Sequence, residues 1–133
     1  MFKSAIHTSE APEAVGPYSQ AVVVELGGGS RMIFTAGQIG LDPATTELVA
    51  GGIEAQAERV IKNLTAILEA AGAGWDDVVK TTVFLTDMDD FATFNEIYGE
   101  TVSDPPPARS VAGARELPKG CLLEMELIAV CKE

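Results

Sequence analysis

Residues 121–130, CLLEMELIAV, decide how the chain is to be folded. A β-strand turns successive side chains to opposite faces. Cys121, Leu123, Met125, Leu127 and Ala129 then share one face, which carries no charge. Leu122, Ile128 and Val130 share the other with two carboxylates, Glu124 and Glu126. A half-solvated strand would be polar along the whole of that second face. This one is half apolar, and a carboxylate buried without a partner is costly. The pattern predicts a cation or ligand facing those groups, or else a strand end open to water.

Upstream, YSQAVVVELGGG (18–29) reads as a strand ending in a turn at Gly27, Gly28 and Gly29, with RMIFTAGQIG (31–40) as its hairpin partner. After the loop LDPATTELVAGG comes the strongest periodicity in the chain. Ile53, Ala57, Val60, Ile61, Leu64, Ile67, Leu68 and Ala71 recur at helical spacing, with Gly72 as the stop. DDVVKTTVFLTD (76–87) reads as a third long strand. MDDFATFNEIYGETV (88–102) reads as a shorter helix with Phe91, Phe94 and Tyr98 on one side and Asp89 or Asp90 near its start. DPPP breaks the chain, ARSVAGA (108–114) resumes an extended segment, and LPKG turns into the closing strand. The order is β-β-α-β-α-β-β, with a short extra strand over Phe2–His7. It predicts a two-layer α+β domain: a mixed, mostly antiparallel sheet with both helices on one face. The uncovered face would expose apolar surface, so oligomerisation is expected to cover it.

The 133 residues fit one domain, 1–133, and 47 % hydrophobic with 22 % charged residues is a globular composition. No apolar run approaches the ~20 residues of a membrane span. The start, MFKSAIHTSEAP, lacks the basic and apolar regions of a signal peptide. Cys121 and Cys131 fall near opposite ends of one strand, at roughly 3.3 Å per residue too far apart for a disulfide. They read as small core hydrophobes, and a cytoplasmic location is expected. A net charge of −11 weighs against nucleic acid as a partner, since phosphate backbones are met by basic patches.

PPPARSVAGARELPKGCLLEME (105–126) holds the candidate chemistry. Pro105, Pro106 and Pro107 keep the backbone extended ahead of Arg109. A guanidinium is a planar fork that fits a carboxylate. Turned to the half-buried face, Arg109 would be the cation that Glu124 calls for; the same spacing also fits an ordinary Arg–Glu pair. Glu126 reads as a rim or interface carboxylate, and His7 as a surface residue without a partner. The GLDP and GGG glycines read as turn formers. Asp76, Asp77, Asp87, Asp89 and Asp90 read as solvated caps, with no metal-loop spacing. Tyr18, taken by itself, reads as core packing.

VGPYSQA, FTAGQIGLDP, VVKTTVFLTDMDDFATFNEIY, PPPARS and ELPKGCLLEMELIAV follow one another in this chain. Together, from about residue 10 onward, they resemble the RidA family, also called YjgF or L-PSP proteins. The resemblance implies a chorismate-mutase-like fold and a homotrimer with clefts between subunits. It implies hydrolysis of reactive 2-imino or enamino acids, such as 2-aminoacrylate and 2-iminobutanoate, to 2-oxo acids and ammonia. That activity detoxifies intermediates released by pyridoxal-phosphate enzymes and uses no cofactor and no metal. Carried over by motif, Arg109 holds the substrate carboxylate, Glu124 handles the attacking water, Tyr18 lines the cleft, Gly37 lends it backbone, and Asn95 stands nearby. Val111 occupies a position where many relatives have cysteine, and it keeps the backbone N–H used there. Ala36 replaces a frequent serine. The two departures leave room for a non-catalytic 2-oxo acid binder, sensor or chaperone-like protein using the same cleft. Ribonuclease action, sometimes attached to relatives, fits poorly with the charge and with the lack of a histidine pair.

Overall fold

The computed structural model describes residues 2–132. Along the chain run β1 (Lys3–Ile6), β2 (Ala21–Gly27), β3 (Ser30–Thr35), α1 (Gly52–Ala70), β4 (Val78–Leu85), α2 (Phe91–Thr101), β5 (Ala108–Gly113) and β6 (Leu123–Lys132). The strands form one six-stranded sheet in the order β1-β2-β3-β6-β4-β5. Neighbours are antiparallel except β4 and β5, which are parallel. This is the expected α+β architecture, with the extra first strand present.

The closing strand sits at the centre, and its alternation sets the layers. Leu123, Met125, Leu127, Ala129 and Cys131 are buried, while the residues between them are half-buried or exposed. Register carries that parity across the sheet. Ile33 lies opposite Ala129, and Thr81, Val83 and Leu85 lie opposite Leu127, Met125 and Leu123. Onto this face α1 lays Ala57, Val60, Leu64, Ile67 and Leu68, all without exposure, and α2 adds Phe94 and Tyr98. Full burial of each aliphatic side chain contributes roughly 1.5–3 kcal/mol. The same stripe of α1 also buries two amides, Gln56 and Asn63.

The other face carries Val22, Met32, Phe34, Phe84, Ile128 and Val130 around Glu124 and Glu126, with no helix over it. Phe34 and Val130 each remain 38 % exposed. An apolar sheet face of this kind is the surface that the sequence pattern marks for covering.

Three boundaries differ from the sequence reading. Tyr18 precedes β2, because the chain turns at Gly16 (Tyr18 N–H donates to Gly16 O at 2.9 Å) and pairing begins only at Ala21. β3 stops at Thr35, and Gln38 then re-pairs with Met125 through two backbone hydrogen bonds of 2.8 and 3.1 Å. Ala36 and Gly37 thus bulge out, and the Thr35 hydroxyl accepts the Leu127 N–H at 3.0 Å in place of a ladder bond. Met88–Asp90 forms a 3-10 turn, capped by the Asp87 side chain on Asp89 N–H, before α2 begins at Phe91. His7 does have a partner: its Nε2 lies 2.9 Å from Glu13.

Beneath α2, the buried Thr81 hydroxyl and Tyr98 hydroxyl share a 2.7 Å hydrogen bond. Tyr98→Phe leaves Thr81 unsatisfied in the core and is expected to lower stability by about 1–3 kcal/mol. The measurement is urea unfolding, read as a lower midpoint at unchanged slope.

Candidate active site

Two recesses hold the candidate residues, and they lie on different sides of the sheet. The first is formed by β5 and α2. Arg109 pairs in register with Thr81, whose side chain belongs to the helix-covered face. The guanidinium accordingly reaches over α2. Its Cζ is 4.7 Å from the Tyr98 ring centroid and 5.5 Å from that of Phe91, and Nη1 donates to Asn95 Oδ1 at 2.8 Å. Cation–π contact and one hydrogen bond hold the fork in place. A shallow depression of about 460 Å³ opens beside it, walled by Asn95, Tyr98, Val102, Pro106 and Pro107.

β5 is an edge strand, and the direction of its free amides follows from one bond. Ala114 N–H donates to Leu85 O, so even-numbered residues turn their backbone groups toward β4. By alternation the N–H of Arg109, Val111 and Gly113 face the open edge. The Val111 side chain packs against the core. Its amide is thus available beside Arg109.

The second recess is a cleft of about 290 Å³ at the start of β6. Glu124 forms its floor with Gly37 and Gln38; Pro12, Val15 and Tyr18 line one side, and Ile39, Leu41, Pro118 and Lys119 the others. Tyr18 is 53 % exposed, a cleft wall and not a core residue. Gly37 is required by close approach. A Cβ built there would lie 2.7 Å from Glu124 Oε2, so glycine lets the carboxylate keep this orientation beside the bulge. Gly40, expected as a turn former, is likewise a packing glycine: its Cβ would meet Gln56 Cα at 3.0 Å.

Burial raises the Glu124 pKa above the ordinary carboxylate value, and repulsion from Glu126 on the same face adds to the shift. Nearby Cys121 is pushed up to about 11, by burial first and by Glu124 second, so the thiol stays protonated. Cys121 and Cys131 are both free and buried. No group of three His, Cys, Asp or Glu among the described residues could hold a metal ion. Among the described residues, no helix is long and apolar enough to cross a membrane.

The structure therefore brings Tyr18, Gly37 and Glu124 together, and brings Arg109 and Asn95 together with the Val111 amide. It does not join the two sets. Arg109 was expected as the cation facing Glu124, yet within one protomer they stand on opposite faces. Glu124 pairs with Phe84 on the bare face, whereas Arg109 pairs with Thr81 on the covered one. Sequence reading also passed over Gln38, Ile39, Leu41, Pro118 and Lys119. They fell inside the quoted RMIFTAGQIG, GLDP and LPKG segments, read as a strand and as turns.

Comparison with known proteins agrees with this geometry at the level of family. The sequence profile of the family described as Endoribonuclease L-PSP matches residues 8–131. Protein DfrA of Myxococcus xanthus is 51 % identical over 130 residues, covering 98 % of this chain and 97 % of its own. The 2-iminobutanoate/2-iminopropanoate deaminase of Mus musculus is 47 % identical, covering 98 % and 93 %. A Thermotoga maritima protein, solved as a candidate endoribonuclease, superimposes with a TM-score of 0.91 at 49 % identity, covering 98 % of each chain. With the motifs, the sheet order and these likenesses in agreement, the chain belongs to the L-PSP family, the RidA/YjgF proteins.

Proposed function

We propose that the protein hydrolyses small 2-imino and enamino acids to 2-oxo acids and ammonia, at a cleft that two copies complete in a homotrimer. The observation that carries this reading is the division of the site. A guanidinium is pre-oriented at an open sheet edge, and a half-buried carboxylate with no ion pair among the described residues stands beside an uncovered apolar face. Deaminases of this substrate class among the relatives support the reaction. A head-to-tail contact that closes into a ring gives every copy both roles.

The chemistry follows from the groups. Arg109 and the edge amide of Val111 hold the substrate carboxylate. Glu124, ionised, takes a proton from water as the water oxygen adds to the imine carbon. The same proton then passes to nitrogen. Glu124 then carries the hydroxyl proton of the resulting carbinolamine to the amine; as that oxygen becomes the carbonyl, the carbon–nitrogen bond breaks and ammonia leaves. Tyr18 walls the cleft, and Gly37 admits the carboxylate to it.

Generating 2-aminoacrylate with a pyridoxal-phosphate lyase and following its decay tests the reaction. Arg109→Ala is expected to lower kcat/KM ten- to a hundred-fold, the worth of a charged hydrogen bond of roughly 1.5–3 kcal/mol. Identical decay with and without wild-type protein would remove the enzymatic claim. Saturable binding of 2-oxobutanoate without turnover would mark the cleft as a binding site only.

Sharing between copies has its own test. Arg109→Ala and Glu124→Gln proteins, each with only residual activity, are refolded together in equal amounts. Random mixing gives about a quarter of the clefts both intact residues, so about a quarter of wild-type activity should return. No recovery would place both residues in the service of one chain.

The pH profile is a third. Glu124 works ionised, so its pKa, which burial and the like charge of Glu126 both raise, sets the acid limb of kcat/KM. Glu126→Gln removes the like charge, lowers the Glu124 pKa and is expected to move that limb to lower pH. A limb that stays in place would exclude Glu124 as the titrating base.

A further inference from the structure

The cleft beside Glu124 has three walls, each held from behind by one buried amide that the proposed chemistry does not use. Residues 12–18 supply Pro12 and Tyr18, residues 37–41 supply Gly37 and Ile39, and residues 118–124 supply Lys119 and Glu124. Behind the first wall stands Gln20, almost fully buried. Its Oε1 accepts the Thr8 N–H at 2.7 Å, and its Nε2 donates to the carbonyls of Thr8, Ala11 and Pro12 at 3.0, 3.3 and 2.8 Å.

Asn63, on the buried stripe of α1, stands behind the second. Its Nδ2 donates to the carbonyls of Ile39 and Leu41 at 3.2 and 3.0 Å, while its Oδ1 accepts from Arg59 Nε at 3.0 Å. Gln56, seven residues earlier on the same helix face, accepts the Leu122 N–H at 2.9 Å. That bond sits one residue before β6 starts and two before Glu124. Gly40 packs on the backbone of Gln56, so the second wall rests there too.

Leucine or methionine at these three positions would bury apolar surface without the desolvation that an amide incurs. What the amides supply is a partner for backbone groups in irregular segments, which no sheet ladder or helix satisfies. Those segments are the ones that line the cleft.

We propose that Gln20, Gln56 and Asn63 are positioning residues that set the cleft's shape, with Gln56 fixing the start of β6 and thereby the Glu124 side chain. The activity readout rests on the deaminase reading; the geometric claim does not.

The variants are Gln20→Met, Asn63→Leu and Gln56→Met, compared with wild type at a temperature where circular dichroism shows each folded. Gln20→Met and Asn63→Leu are expected to raise KM about tenfold with kcat held, because they loosen walls that contact substrate. Gln56→Met is expected to lower kcat about tenfold, and Gln56→Glu, which keeps the acceptor oxygen, to restore most of it. The independent measurement is the side-chain NMR titration of Glu124 in wild type and Gln56→Met, where the midpoint should move by more than about half a pH unit. A folded Gln56→Met with an unshifted Glu124 titration overturns the proposal, even if its melting temperature falls. Should wild type turn over no imine, the deaminase reading fails while the titration still decides the positioning of Glu124.

Discussion

Paired residues on neighbouring strands point to the same face, so register alone decides which side chains can meet. In this sheet β6 runs antiparallel to β4 and sets Glu124 opposite Phe84, while β5 runs parallel to β4 and sets Arg109 opposite Thr81. One residue of difference in parity puts the carboxylate on the bare face and the guanidinium on the helical one. No rotamer change crosses a sheet. Each group has settled without the other: Arg109 leans on two aromatic rings and Asn95, and Glu124 feels burial and the like charge of Glu126. The proposal of a shared site grows from that separation.

Two further features lie next to the divided site. β5 ends the sheet with its odd-numbered amides free, and the bare face carries Phe84 on the neighbouring β4, with Phe34 and Val130 further in on β3 and β6. An open edge and an uncovered face are each a liability in a lone chain. A second copy that covers both would bring its own β6 region toward Arg109. On the proposed reading, the surfaces left unsatisfied in the lone chain are those the chemistry would use.

Much of this was legible from residue patterns. The long closing strand counts its own parity over ten residues, so the placing of Glu124 and Glu126 on one half-apolar face could be read directly. The apolar stripe of α1 was equally plain. The face of Arg109 was not, because an alternation restarted after three prolines has no fixed phase, and a slip of one residue inverts it. The bulge at Ala36 and Gly37 hid Gly37's closeness to Glu124, since an inserted residue breaks any count along β3. Gln56 and Asn63 drew no reading from the sequence, where they are two polar residues in an amphipathic helix. Only the irregular segments packed behind that helix give them partners, and irregular segments leave no period in a sequence.

The electrostatics add a link between assembly and ionisation. In the protomer, burial and Glu126 favour the protonated form of Glu124, and its negative potential also helps hold the Cys121 thiol protonated. A guanidinium brought beside Glu124 acts in the opposite sense and lowers its pKa. If copies meet as proposed, forming the contact releases a proton over the interval between the two pKa values. By linkage, association then strengthens as pH rises through that interval, and ionised Glu124 is favoured only where the cleft is complete. A general base that charges on assembly would be held in reserve in the free chain and competent where substrate can be bound. The division of the site by strand parity then makes catalysis a property of the contact between copies.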